Sequence, residues 1–328
     1  MEHHSGIMNW ATASLNSKGY TLVGRAEIIQ ETPWSHVIRL PTLQGDVFLK
    51  QPAPLLANEA RVIQFLTHQL KASVPCIIAK NDELHCFLMK GAGISLRKYL
   101  NEESKTDLLC QAIKQFTSFQ RATEGYIQPF LKLGIPDWRL NQLPGLYREI
   151  INDTDFLKED GVTESELELL NYLYPLVIEQ LQALSLYGIS ETLVQPDFNT
   201  NNVLIDPETQ KFTLIDLGEL AISHPFFSLH NFLYTATVHH GVKEQDLIWH
   251  QMLEACLKHW SDLWPKAKLL EGYKLSRTLW PIYSACVNYH FMHCVDLQAL
   301  NSWYADKPNR LASSFRYYIN AMDCSKLL

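Results

Sequence analysis

The sequence has no apolar run approaching the ~20 residues of a transmembrane helix. Its first residues, Met1-Glu2-His3-His4-Ser5-Gly6, lack the basic stretch and apolar run of a secretory signal. No membrane partner is expected. The seven cysteines are odd in number, scattered and contain no C-x-x-C pair, which argues against zinc ligation and a disulfide framework. Buried thiols in the reducing cytoplasm are the expectation. No H-E-x-x-H occurs, so His239, His240, His259, His290 and His293 are read as packing residues of an aromatic-rich helical region. Basic residues are in deficit, 28 against 35 acidic ones, and the net charge of −7 argues against a nucleic-acid partner. Internal repeats, low-complexity segments and a G-x-G-x-x-G loop are also missing. No obligate protein partner is evident.

What is present is a chain of 328 residues, 47% hydrophobic and 19% charged, long enough for one large domain or two lobes with ample core. Its most informative stretch is Leu193 to Gly218, LVQPDFNTNNVLIDPETQKFTLIDLG. Val203 to Ile205 and Phe212 to Ile215 read as short strands joined by an Asp-Pro turn at Asp206-Pro207-Glu208-Thr209. Asp197 and Asn202 precede the first strand and Asp216 follows the second, and a hairpin brings such ends together. Two carboxylates and an amide there suit Mg²⁺, a hard cation that takes oxygen ligands and keeps phosphate oxygens in its shell.

Asp197 and Asn202 followed by I-D-L-G at Ile215 to Gly218 resemble the catalytic loop and metal-binding aspartate of the aminoglycoside phosphotransferase and choline kinase-like family, whose pattern is roughly H-G-D-x-x-x-x-N and then I-D. The run Ala221 to Leu229, A-I-S-H-P-F-F-S-L, is also similar. The family's His-Gly is Gln195-Pro196 here. The resemblance implies an α+β, two-lobed protein-kinase-like fold. Residues 1–92 would form a nucleotide-binding lobe, an antiparallel five-stranded sheet with a helix. Residues 93–328 would form a larger, mostly helical catalytic and substrate lobe.

The upstream pattern agrees with that fold. A short helix over 7–17 precedes strands at Leu22 to Gln30, Val37 to Pro41 and Asp46 to Gln51, and two more follow at Cys76 to Ala79 and Leu84 to Lys90. The third strand carries Lys50 next to its end. Leu55 to Leu70 has helical apolar spacing with Glu59 in its first turns. The resemblance makes Lys50 and Glu59 the ion pair that places ATP phosphates. It makes Ser35, in the Glu31 to His36 turn, a phosphate contact. It also assigns the backbone of Lys90 and Ala92, in F-L-M-K-G-A-G, to the base edge of the nucleotide.

After the hinge, Ile94 to Asn101 and Ser104 to Ala122 read as helices, the second with a weak Ser104/Asp107 cap. Thr123 to Pro144 reads as a long connection on its prolines and glycines. Thr163 with Glu166 three residues on is a capping box opening a helix to about Leu186, bent at Pro175. Helices follow at Leu229 to Val238, Glu244 to Trp260, Ala267 to Leu300 and Pro308 to Met322. Residues 123–195 hold twelve acidic against four basic residues, a net of −8, which mildly favours an amine-bearing acceptor by electrostatic steering.

The resemblance therefore implies a Mg²⁺- and ATP- (or GTP-) dependent phosphotransferase acting on a hydroxyl of a small molecule such as an aminoglycoside, choline or an amino sugar. Asp197 would be catalytic, with Asn202 and Asp216 holding the metal. Gln195-Pro196 motivates the alternative of a catalytically impaired nucleotide-binding or scaffold protein of the same fold.

Overall fold

The computed structural model of the chain describes residues 2–102 and 105–322. In chain order its elements are α1 (Glu2–Ser17), β1 (Glu27–Thr32), β2 (Ser35–Thr42), β3 (Gly45–Pro52), α2 (Glu59–Leu70), β4 (Ile77–Asn81), β5 (Cys86–Lys90), β6 (Ile94–Ser95) and α3 (Leu96–Glu102). Next come α4 (Asp107–Thr123), α5 (Ile127–Lys132), α6 (Leu143–Asn152), α7 (Thr154–Glu159), α8 (Glu164–Ser185), β7 (Thr192–Val194), β8 (Val203–Ile205), β9 (Phe212–Leu214) and β10 (Ala221–Ser223). The chain ends with α9 (Phe226–His240), α10 (Leu247–Leu257), α11 (Lys266–Cys294), α12 (Leu297–Trp303) and α13 (Arg310–Ala321). Among the described residues no helix is long and apolar enough to cross a membrane.

Two compact units form. The first gathers Met1–Tyr99, Asn201–Glu219 and Cys294–Trp303. Its five-stranded antiparallel sheet has the order β1-β2-β3-β5-β4. Burial alternates along β2, as a sheet with one covered face requires. Ile7, Ala11 and Leu15 recur at helical spacing and pack α1 onto Leu40, Val47, Leu49 and Leu88. The expected strand from Leu22 is shorter, because residues 22–26 make only an isolated bridge, Leu22 to Thr42, before β1 begins. A second, three-stranded sheet has the order β6-β8-β9. Ile94-Ser95 is thus a strand where a helix start was expected.

The second unit comprises Leu100–Thr200, Leu220–His293 and Tyr304–Leu328. The Thr163/Glu166 capping box is formed in both directions, and α8 runs through Pro175 to Ser185. The Ser104 cap lies outside the described residues. The expected loop over 123–144 contains α5, where Pro129 sits within the first turn and so costs no helical hydrogen bond. The chain after Gly218 is not wholly helical, since β10 pairs with β7. These three-residue strands are too short to show a period. Among the described residues no disulfide joins the cysteines: Cys86, Cys256, Cys286 and Cys294 are buried, Cys110 is half-buried and Cys76 is exposed, against the expectation that all are buried.

His224 is fully buried ahead of α9, and burial alone pushes its pKa down from 6.5 to about 3. His230, also buried, moves the same way. A group whose folded pKa is depressed contributes fully above its unfolded value and loses that contribution as the pH falls. Urea unfolding should therefore show stability declining from about pH 6.5 toward 3. The His224 share has a slope of up to about 1.4 kcal/mol per pH unit, and His224→Gln should remove that share.

Candidate functional site

The first unit joins three of the predicted residues directly. Lys50 near the end of β3 is buried, and its ammonium donates to Glu59 Oε1 at 3.0 Å and to Asp216 Oδ1 at 2.7 Å, with Glu59 Oε2 at 2.7 Å. Glu59 is the first residue of α2. It is held from the other side by the Leu217 N–H, which donates to Oε1 at 3.0 Å. Burial works against the charge on Lys50, but the Asp216 and Glu59 carboxylates outweigh it and hold the ammonium above its ordinary value. Burial raises the Glu59 carboxyl, and Lys50 offsets that rise only in part. One ammonium between two carboxylates leaves one negative charge in excess, which suits a cation.

The predicted hairpin is present, with Val203 opposite Leu214 and Ile205 opposite Phe212. Asp206 Oδ1 accepts the Glu208 and Thr209 N–H groups at 2.9 and 3.0 Å, the local bond that makes Asp-Pro-x-x a turn. Ser73 anchors β9 from outside, its Oγ donating to the Phe212 carbonyl while its own carbonyl accepts the Leu214 N–H at 2.9 Å. The Ile215 N–H donates to the Asn202 carbonyl at 3.0 Å, so Asn202 is tied next to the residue preceding Asp216. Asn202 is buried and Asp216 half-buried. Asp216, not the nearby Gly218, takes the left-handed backbone, with φ of 60°. That conformation costs a non-glycine residue about 1 kcal/mol or more and is maintained only where surrounding bonds determine it, as the Lys50 and Leu217 contacts do here.

Ser35 opens β2, immediately after the two-residue turn Pro33-Trp34. The Thr32 hydroxyl accepts the Ser35 N–H at 3.0 Å and donates to its carbonyl at 2.9 Å, stitching the turn. Ser35 Oγ is buried without a hydrogen-bond partner. An orphaned hydroxyl of this kind suits an incoming anionic oxygen. With the all-oxygen donor set of Asn202 and Asp216, it fits a magnesium–nucleotide complex. The Lys90 N–H is committed to the Cys76 carbonyl at 3.0 Å, and Gly91 N–H to Asp46 at 2.8 Å, so β5 stays paired to its end. Ala92 follows, half-buried, where the chain has left the sheet. Gly93 has φ of 117°, and a Cβ there would lie 2.1 Å from the Ile205 carbonyl oxygen, so only glycine fits against β8.

Asp197 belongs to the second unit and is exposed at the start of its loop. The loop is held by Phe198, whose ring stacks on Phe116 at 3.7 Å and on Phe232 at 4.6 Å. The Asn199 amide donates to Asp197 Oδ1 at 2.8 Å and to its carbonyl at 2.9 Å, and the Asn231 amide donates to the Phe198 carbonyl at 3.2 Å. Below it, Gln120 and Thr123 of α4 bind the two ends of Leu193. Gln195 is fully buried and donates its N–H to Ser228 Oγ at 2.8 Å. It holds the loop from beneath.

Sequence reading missed several of these contacts. The Lys50–Asp216 bond spans 166 residues, and nothing local signals it. The Phe116 and Phe232 partners of Phe198 carry only the ordinary signature of core helices. Among the described residues no group of three or more His, Cys, Asp or Glu is placed to hold a metal. His290 packs on Trp138, and His293 on Phe156 and Tyr289. A cleft of about 610 Å³ between α4, α10 and α11 is lined by none of the candidate residues. The acidic segment is also less available than its composition implies, since Asp137, Glu164 and Glu166 face Arg139, Lys158 and Arg316.

No family profile matches the chain, and no curated protein matches it in sequence. Solved structures do. An ethanolamine kinase of Plasmodium vivax superposes with a TM-score of 0.61 at 11% identity, covering 90% of this chain and 84% of its own. A choline kinase of Streptococcus pneumoniae gives 0.58 at 12% identity, covering 98% and 99%. A GDP complex of an aminoglycoside 2′-phosphotransferase gives 0.55 at 17% identity, covering 94% and 99%. At these identities the likeness establishes the fold. The chain has the kinase-like α+β architecture with a five-stranded antiparallel sheet.

Proposed function

We propose that this protein is a Mg²⁺- and ATP- (or GTP-) dependent phosphotransferase that phosphorylates a hydroxyl group of a small molecule. The observation that carries the reading is the buried Lys50 clamped between Glu59 and Asp216. A lysine desolvated with two carboxylates, one of them on a left-handed backbone, is expensive as mere scaffolding and suited to holding phosphate beside a cation. The named activities of the structural neighbours, ethanolamine, choline and aminoglycoside phosphorylation, support it.

When bound, magnesium–nucleotide supplies the transferable phosphoryl group and offsets its developing charge. Asn202 and Asp216 would hold the metal through oxygen atoms. Lys50, oriented by Glu59, would hold phosphate oxygens, and Ser35 Oγ would donate to them. The backbone at Lys90 and Ala92 would meet the base, the Lys90 N–H excepted because the Cys76 carbonyl already engages it. Asp197, exposed and fixed by Asn199, would orient the acceptor hydroxyl and take its proton. Little covalent chemistry is asked of the protein; positioning and electrostatics do the work. Cytoplasmic residence belongs to the same reading.

The test is ADP (or GDP) production in a coupled assay across amine-bearing alcohols: choline, ethanolamine, amino sugars and aminoglycosides. Acceptor-dependent turnover that disappears with EDTA is expected. Nucleotide binding with no turnover on any acceptor would favour the impaired-scaffold alternative that Gln195-Pro196 motivates.

A further inference from the structure

The stretch Cys294–Trp303 belongs with the first unit, although the chain on either side of it belongs to the second. It begins at buried Cys294, whose thiol is raised first by burial and then by the carboxylate of Glu219, three residues beyond Asp216. It ends at Trp303, the last residue of α12. There the indole meets that of Trp34 edge to face, with ring centroids 6.0 Å apart and planes at 84°. Trp34 immediately precedes Ser35 in the turn between β1 and β2.

That turn needs external support. Two-residue hairpin turns ordinarily use left-handed residues that match the strand twist. Pro33 cannot adopt that conformation, and Trp34 is not among the described residues that do. The turn is held instead by the Thr32 hydroxyl, by the Ala53 N–H donating to the Trp34 carbonyl at 2.8 Å, and by the Trp303 ring. We propose that Trp303 is a positioning residue for the nucleotide phosphates, holding the Thr32–Ser35 turn through Trp34 so that the Ser35 hydroxyl meets them. This rests on the reading of that turn as the phosphate cover.

Trp303 is half-exposed, so its truncation costs little core. It releases the turn to other conformations, and affinity for phosphate falls with the competent fraction. Calorimetric titration should show Trp303→Ala weakening Mg·ATP about five- to tenfold, the size of an aromatic pair of this kind, while adenosine binding stays unchanged. Trp303→Phe, which keeps a ring, should bind Mg·ATP within about twofold of the parent protein. Trp34→Ala should match Trp303→Ala, and the double variant should be no weaker than either. Mg·ATP binding unaltered in Trp303→Ala, or an equal loss for adenosine and Mg·ATP, overturns the inference while the phosphotransferase reading stands. A parent protein that binds neither overturns both.

Discussion

Replacing Asp197 with alanine should lower turnover by about 1,000-fold or more while leaving the affinity for magnesium–nucleotide within about twofold. The asymmetry follows from where Asp197 sits. Its carboxylate is exposed, and its backbone is set by neighbours: Phe198 stacked between Phe116 and Phe232, and Asn231 donating to the Phe198 carbonyl. Truncation at Cβ removes the acceptor of the hydroxyl proton and the Asn199 bond, and leaves the loop anchored. Steady-state kinetics with the best acceptor, paired with nucleotide titration, reads both numbers. Turnover equal to that of the parent protein would remove Asp197 from the chemistry.

Lys50→Met should have two large effects that separate under titration. Magnesium–nucleotide affinity should fall by about 100-fold, since the charge-assisted bonds to phosphate are lost. The fold should also lose about 3 kcal/mol near pH 8, because Glu59 is left buried with no opposing charge. Glu59 is already raised by burial, and without Lys50 it rises further. A raised carboxyl contributes its stability below the unfolded pKa and loses it as pH rises through the folded one. The variant should therefore be most stable near pH 4.5 and weaken upward. Urea midpoints across that range check the sign. Lys50→Met combined with Glu59→Gln should recover most of the stability at pH 8 and none of the nucleotide affinity.

These residues were legible in unequal measure. Asp197, Asn202 and Asp216 stand out because local chemistry announces them: short β-branched strands, an Asp-Pro turn stitched by Asp206, and polar residues at both hairpin ends. The Thr163 capping box was equally plain, because both of its partners lie within one turn. Lys50 and Glu59 could be paired through the family resemblance, which expects a strand lysine followed by a helix glutamate, and not from their local sequence. That Asp216 closes on the same ammonium could not, since the contact is tertiary and the residue reaches it on a left-handed backbone that its neighbours Leu217 and Gly218 would have assigned elsewhere. The pairing of β7 with β10 was hidden because three residues carry no readable period. α5 was hidden because prolines and glycines around it read as breakers. The Trp34–Trp303 contact joins positions 269 residues apart, and neither tryptophan carries a local mark.

The central claim is that Lys50, Asn202 and Asp216 bind a magnesium–nucleotide complex. Thermal unfolding of the parent protein and of Asp216→Asn, each with Mg·ATP, with Mg·GTP, and with nucleotide plus EDTA, tests it most directly. At 100 times Kd the parent protein should gain about 2.7 kcal/mol, seen as a rise of several degrees that EDTA abolishes and Asp216→Asn lacks. A parent protein whose unfolding temperature is the same with either nucleotide, with or without magnesium, would contradict the claim.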